Sequence, residues 1–174
     1  MYAPILPYTC DEIWQAMPHR AEDDVRNIVL NDMAQPYTAY ALDAETMAKW
    51  DSLIAMRSDV NGVLETARAE KKIGKALEAK VVLQAKDETA QSAIEAVKAL
   101  DLAELFIVSA VSTEAEEAEA LAQGVGSNFP GLEVKVYAAP GEKCPRCWMH
   151  STKADENGLC PRCSAVMANF VFED

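Results

Sequence analysis

The sequence predicts an α+β chain in three parts: a helical stretch over 1–75, a small mixed α/β junction layer over 76–139 and a four-cysteine module over 140–174. Three observations carry that reading. Apolar residues recur at three- and four-residue steps between 44 and 71. Two later stretches, around Val81 and around Val134, alternate apolar with polar side chains as half-buried strands do. Four of the five cysteines fall in two identical Cys-Pro-Arg-Cys elbows.

In chain order, Thr9 followed three residues later by Glu12 has the form of a capping box, opening a short helix through Ile13, Trp14 and Met17 that Pro18 ends. Trp14 is expected as a core anchor, Cys10 as a small core residue and His19 as a solvated side chain in the loop that follows. Val25–Leu30 reads as extended, closed by Pro36. Met47, Trp50, Ile54, Val60, Val63, Leu64 and Ala67 then mark one face of a long helix over 44–71, with Gly74 as its stop. Lys71, Lys72 and Lys75 follow at its negative dipole end. With Arg57 and Arg68 they form either a dipole-complementing, solubilising cluster or a phosphate-contacting strip, and spacing does not separate the two.

Beyond Gly74, Leu77, Ala79, Val81 and Leu83 predict a strand, 89–100 a helix with Ile94, Val97 and Leu100 inward, and the apolar run 105–111 a central strand. The Ala/Glu-rich segment 113–123 reads as an exposed helix or a mobile insertion. Gly124, Gly126, Asn128, Pro130 and Gly131 predict a turn region before a third strand at Leu132, Val134 and Val136.

Net charge is −12, but its distribution is uneven. Residues 1–56 carry 3 basic and 9 acidic side chains, 57–86 carry 7 and 4, 87–133 carry 1 and 10, and 134–174 carry 5 and 5. A polyanion would have to meet the 57–86 unit and the cysteine module and avoid the rest. No run of about 18 apolar residues predicts a membrane span. The N-terminus lacks the basic region and apolar core of a signal peptide, so a cytoplasmic location is expected. The immediate apolar, Pro-containing start reads as a chain cut from something longer. An N-terminal helix parted from its neighbours would leave an apolar face open to self-association.

Catalytic signatures are missing: there is no G-x-x-x-x-G-K, G-x-G-x-x-G or G-x-S-x-G, and only two histidines are present as bases. The pattern that does carry chemistry is C-x2-C-x12-C-x2-C, formed by Cys144, Cys147, Cys160 and Cys163. Two elbows of this kind can point four sulfurs at one ion, which predicts a single structural zinc with no open coordination position. An intracellular setting disfavours disulfides, and two pairs in one short segment disfavour a redox CxxC or inert buried thiols. Because each thiol must lose its proton to bind, 140–165 is expected to be largely disordered without the metal. Lys143, Arg146, Lys153 and Arg162 surround the elbows as a second basic region. Trp148 is expected either to cover the metal cluster and pack the module on the α/β layer, or to offer a stacking platform for a base.

Three stretches resemble the C-terminal part of bacterial isoleucyl-tRNA synthetases, and they follow that family's order across nearly the whole chain. The first is Ala3-Pro4-Ile5-Leu6-Pro7-Tyr8-Thr9-Cys10-Asp11-Glu12-Ile13-Trp14. The second is Arg57-Ser58-Asp59-Val60-Asn61-Gly62-Val63-Leu64-Glu65-Thr66-Ala67-Arg68 with Lys72-Ile73-Gly74-Lys75-Ala76-Leu77-Glu78-Ala79. The third is Glu142-Lys143-Cys144-Pro145-Arg146-Cys147-Trp148 with Leu159-Cys160-Pro161-Arg162-Cys163. The resemblance implies the end of an anticodon-binding helical domain, a junction layer and a terminal zinc finger, which together help a class I ligase hold tRNA(Ile) near its anticodon stem-loop. Contacts are then expected from Arg57, Arg68, Lys71, Lys72, Lys75, Arg146, Trp148 and Arg162. The family's His-x-Gly-His and Lys-Met-Ser-Lys-Ser signatures are absent, so ATP binding and amino-acid activation would belong to the remainder of the parent synthetase, which the segment would also contact. The stretch 113–123 matches no family motif. Two other readings compete: the finger of a formamidopyrimidine-type DNA glycosylase, which leaves 57–79 unexplained, and a structural or protein-interaction zinc module.

Overall fold

A computed structural model describes residues 2–169 of the chain. Its helices and strands make an α+β protein. The chain divides into two compact units, 1–42 and 43–174. The last five residues expected in the cysteine module lie outside the described residues.

In the first unit, helix α1 spans Pro7–Ala16. It starts two residues before Thr9, because Pro7 already supplies a helical φ at a position whose N–H would have no partner. The expected capping box is therefore inside the helix, and no side chain caps the N-terminus. Met17, preceding Pro18, is extended and ends it. Val25–Leu30 is not extended: Asn27 Oδ1 accepts from Val29 N at 3.0 Å and turns Ile28–Leu30 into a 3-10 turn. Trp14 and Cys10 are half-buried rather than core residues, and no described residue of 2–42 is fully buried. Trp14 Nε1 donates to Asp24 O at 3.2 Å, and its ring lies 4.5 Å from that of His19. His19 is thus packed, not solvated, with a buried Nδ1 that has no hydrogen-bond partner.

The second unit begins with α2, Ala44–Ala69, capped by Asp43, whose Oδ1 accepts from Thr46 N at 2.8 Å. Its buried face is Leu53, Met56, Val60, Val63, Leu64 and Ala67 with Asp59, while Met47, Trp50 and Ile54 of the expected face are exposed. The sheet underlies only the later turns of α2, so the apolar periodicity outruns its cover. The helix stops before Gly74. Lys71 takes a left-handed φ of 57°, and the amides of Lys71 and Lys72 close back on Arg68 O and Ala67 O at 2.9 Å each. After a 3-10 turn at Ala76–Glu78, which contains Leu77, comes β1, Ala79–Ala85. Helix α3, Glu88–Val97, is capped by Asp87 and buries Ala90, Ala93, Ile94 and Val97, leaving Leu100 exposed beyond its end.

The run 105–111 is not a central strand. Asp101 Oδ1 accepts from Glu104 N at 3.1 Å and starts a short helix α4, Leu102–Phe106. Ile107 then reverses the chain at φ 58°, and only Ala110–Ser112 forms a strand, β2, at the sheet edge. No helix forms in 113–123, and its end begins β3, Ala122–Val125, which takes Gly124 out of the expected turn. The strand expected at Leu132, Val134 and Val136 is β4, Leu132–Ala138, with all three side chains fully buried. The sheet order is β2-β1-β4-β3, with β1 and β2 parallel and the remaining pairs antiparallel.

Helix α2 packs on β3 and β4, and α3 on β1 and α2. Val81, Leu83, Leu132, Val134 and Val136 meet Met56, Val60 and Ile94 in one core. Burying each such Val or Leu stabilises the fold by about 1.5–3 kcal/mol. Asp59 is the one charged side chain buried there. Its carboxylate accepts from Ser127 N, Asn128 N and Phe129 N at 2.9–3.2 Å and fixes the loop that enters β4. Gly126 of that loop packs where a Cβ would collide with Asp59 Oδ2 and Phe129 O, so only glycine fits. The hairpin of β5, Glu142–Lys143, and β6, His150–Ser151, then leads to α5, Pro161–Ala168. No described helix is long and apolar enough to cross a membrane.

Candidate metal centre

The first elbow sits at the tip of the β5–β6 hairpin. Trp148 N donates to Cys144 O and Cys144 N to Met149 O, each at 2.9 Å, and Trp148 takes φ 67° to close the turn. Gly141 enters the hairpin at φ 84°, where a Cβ would strike Ser151 O. The second elbow is a helix start: Cys160 is the N-cap of α5, Pro161 is in its first turn, and Cys163 follows one turn on. The intervening loop is folded on Asp155, which accepts from Asn157 N and Leu159 N at 2.9 Å each. The hydrogen bond from the Ser164 side chain comes first among the causes that hold the Asp155 carboxyl below its ordinary value, with the Leu159 amide next.

These two turns bring all four cysteine sulfurs within 4.8 Å of one another. Cys147 Sγ and Cys160 Sγ are 3.6 Å apart. Tetrahedral thiolate bonds of about 2.3 Å imply sulfur spacings of about 3.8 Å, so the donor set fits one four-coordinate ion. Cys144 and Cys163 are fully buried. Burial pushes the Cys144 thiol up, but the backbone amides of Cys147, Cys160 and Arg146 outweigh it and hold it at about 6. For Cys160 the largest influence, the Cys163 amide, lowers it, yet burial and the neighbouring sulfurs of Cys147, Cys163 and Cys144 together raise it to about 11. Concentrated thiols that resist joint ionisation are what a dication relieves.

The arginines of the elbows face inward. Arg146 Nη1 lies 3.7 Å from Cys163 Sγ. Arg162 hydrogen-bonds the Cys147 sulfur, and that contact is the main cause of its raised pKa. Such N–H donors disperse charge on a thiolate cluster. The Trp148 side chain is half exposed, with Lys75 Nζ 4.4 Å and Lys143 Nζ 5.9 Å from its ring.

The structure brings together only part of the expected basic strip. Arg68, Lys71 and Lys72 line one open depression with Gly74 and Glu78, and Lys75 continues from it to Trp148. Arg68 pairs with Glu65 at 2.6 Å, and Lys72 Nζ donates to Leu121 O at 2.7 Å. Arg57 stands apart, its Nε donating to Leu105 O at 2.9 Å and so holding α4. Glu78 receives Gly74 N at 2.8 Å, and the amides of Gly74 and Lys75 keep its carboxyl below its ordinary value.

Sequence reasoning missed Ser109, whose Oγ accepts from His150 N at 2.7 Å and donates to Leu77 O at 2.6 Å. A lone hydroxyl in the apolar run 105–111 was the available signal. It also missed that His150 carries a buried Nδ1 with no partner.

Two family models match the chain: the anticodon-binding domain of tRNA ligases over residues 1–83, and the zinc finger found in FPG and IleRS over residues 141–166. Among its relatives, the isoleucine–tRNA ligase of Staphylococcus carnosus is 38% identical over 97% of this chain. Those of Syntrophotalea carbinolica and Geobacillus kaustophilus are each 40% identical, over 97% and 96% of it. The chain spans 18% of the length of each of these relatives. The chain therefore belongs to the isoleucine–tRNA ligase family, to the stretch that leads from an anticodon-binding domain to a four-cysteine zinc finger.

Proposed function

We propose that this chain is the tRNA-binding, non-catalytic C-terminal segment of an isoleucine–tRNA ligase, stabilised by one structural zinc on Cys144, Cys147, Cys160 and Cys163. The segment works in the cytoplasm with tRNA(Ile) and the rest of its ligase. Activation of isoleucine with ATP belongs to the rest of that enzyme. In this reading 1–75 closes the anticodon-binding domain, 76–139 is a junction and 140–174 is the finger.

The observation that carries the proposal is the contact of Lys75 with Trp148. The loop that leaves the long basic helix and the hairpin that holds the metal elbows meet there, so the two basic regions of an acidic chain form one surface. Arg68, Lys71, Lys72, Lys75 and Trp148 are its phosphate- and base-facing groups. Arg146 and Arg162 spend one donor each on a cysteine sulfur and offer the remaining N–H groups to the same ligand, while Arg57, apart from that surface and bonded to Leu105 O, is a separate contact with the RNA. Zinc bound by four thiolates supplies rigidity and no open position for chemistry. The chain's own net charge of −12 opposes RNA, so the isolated segment binds weakly and the whole ligase supplies most of the affinity.

The test is aminoacylation by the full-length ligase carrying Cys160→Ser and Cys163→Ser. Intact isoleucine activation with lost tRNA charging is expected. Unaffected charging overturns the proposal and favours a purely structural module.

A further inference from the structure

The four sulfurs do not share one environment. A cleft of about 470 Å³ separates the α4–β2 turn from the metal module, lined in part by Ile107, Ser109, Met149, Arg162 and two of the four cysteines, Cys147 and Cys160. Cys144 and Cys163 are fully buried and lie outside it. Cys147 is half-buried and therefore the most accessible of the set. Across the elbows its sulfur lies 3.6 Å from that of Cys160. The Arg162 guanidinium, at the cleft wall, stands beside the Cys147 sulfur.

We propose that this cleft makes Cys147 and Cys160 a peroxide-sensitive pair, whose oxidation to a disulfide across the two elbows releases the bound metal. The inference rests on the reading of the four thiols as a metal site. Hydrogen peroxide is small enough for the cleft and is the oxidant. The Cys147 thiolate attacks one peroxide oxygen, the O–O bond breaks, hydroxide leaves, and Cys147 becomes a sulfenic acid. The Cys160 thiolate then attacks the Cys147 sulfur, forms the S–S bond and expels a second hydroxide. Two thiolates have lost two electrons and peroxide has gained them, and the two hydroxides leave as water after taking two protons from the acid form of the buffer. Arg162, hydrogen-bonded to the Cys147 sulfur, is placed to stabilise each departing hydroxide. Two of the four metal donors are consumed, and Cys144 and Cys163 alone do not hold the ion. A thiol reductant entering the same cleft reverses the bond.

The sequence allows a direct readout. Trypsin cuts after Lys143, Arg146, Lys153 and Arg162, which puts each of the four cysteines on a different peptide. Metal-loaded protein carrying Cys10→Ser, which removes the thiol outside the module, is treated with hydrogen peroxide. Released metal is followed with a chromophoric chelator, and the peptides are mapped by mass spectrometry. The expected result is release of one equivalent in step with a 147–153 to 154–162 disulfide, reversed by dithiothreitol and remetallation. In a parallel measurement iodoacetamide labels Cys147 of the metal-loaded protein first, about tenfold ahead of Cys144 and Cys163, as accessibility governs thiolate reaction. A first disulfide within an elbow, or equal labelling of the four sulfurs, overturns the inference and leaves the metal site standing. Purified protein that holds no metal under reducing conditions overturns the metal site itself and this inference with it.

Discussion

The main-chain N–H of His150 donates to Ser109 Oγ at 2.7 Å, and the same hydroxyl donates onward to Leu77 O at 2.6 Å. His150 lies on the metal hairpin, Ser109 just ahead of β2, and Leu77 in the turn before β1. One side chain thus ties the metal module to the α/β layer at the wall of the cleft. A hydroxyl suits this position because it accepts and donates at once.

Ser109→Ala removes both bonds and strands two half-buried main-chain groups. The expected cost is about 1–3 kcal/mol, read as a lower urea midpoint with unchanged slope. Limited proteolysis should cut the 151–159 loop sooner, while metal content stays at one per chain. An unchanged midpoint and cleavage rate would show that the hydroxyl does not hold the module.

Asp59→Ala leaves the amides of Ser127, Asn128 and Phe129 without their acceptor in a site where Asp59 is only 6% exposed. A loss of about 2–3 kcal/mol is expected in urea unfolding. Glu65→Ala, which breaks the exposed pair with Arg68, should stay within about 0.5 kcal/mol. Equal effects of the two substitutions would contradict the role assigned to Asp59.

Glu78 titrates below its ordinary value of 4.5 in the folded chain because the amides of Gly74 and Lys75 favour its charged form. The unfolded chain then binds the proton first, so the contribution to stability is full above pH 4.5 and is lost as pH falls through the lowered folded value. Thermal melts of wild type and Glu78→Gln should differ at pH 7 and converge in acid below about 4.5. A gap that persists or widens there would contradict this account.

Lys71→Ala should weaken tRNA binding by the full-length ligase and make its salt slope shallower by about 0.7–0.9, the share that one neutralised phosphate contributes. Trp148→Ala, removing a half-exposed ring, should leave melting temperature and metal content unchanged while weakening tRNA binding by about 1–3 kcal/mol, measured by filter retention across salt concentrations. Metal-free Trp148→Ala protein would return that residue to a packing role.

Elements whose signal is local were legible. Helix α2 showed in a three- and four-residue apolar step, and β4 in the alternation of Leu132, Val134 and Val136. Elements decided by a partner were misread. The apolar run at 105–111 suits a strand or a buried helix equally, and the Asp101 cap with the reversal at Ile107 put its first two residues in a helix. The segment 113–123 read by composition as an exposed helix or a mobile insertion, but pairing with β4 drew its end into β3, and Glu116 is held by Lys80. Lys71, not Gly74, ended α2, because the Arg68 and Ala67 carbonyls captured the following amides.

By itself the sequence determined the four-cysteine cluster, the place of basic charge and the family resemblance, because two-residue cysteine spacing and charge counts need no knowledge of distant contacts. Only the tertiary structure decided that Arg57 serves α4 while Lys75 reaches Trp148, that Arg146 and Arg162 turn to the sulfurs, and that Cys147 and Cys160 line a cleft. Those outcomes depend on which surfaces the sheet, the short helix α4 and the hairpin bring together. Such long-range packing leaves no periodicity in the residues it joins.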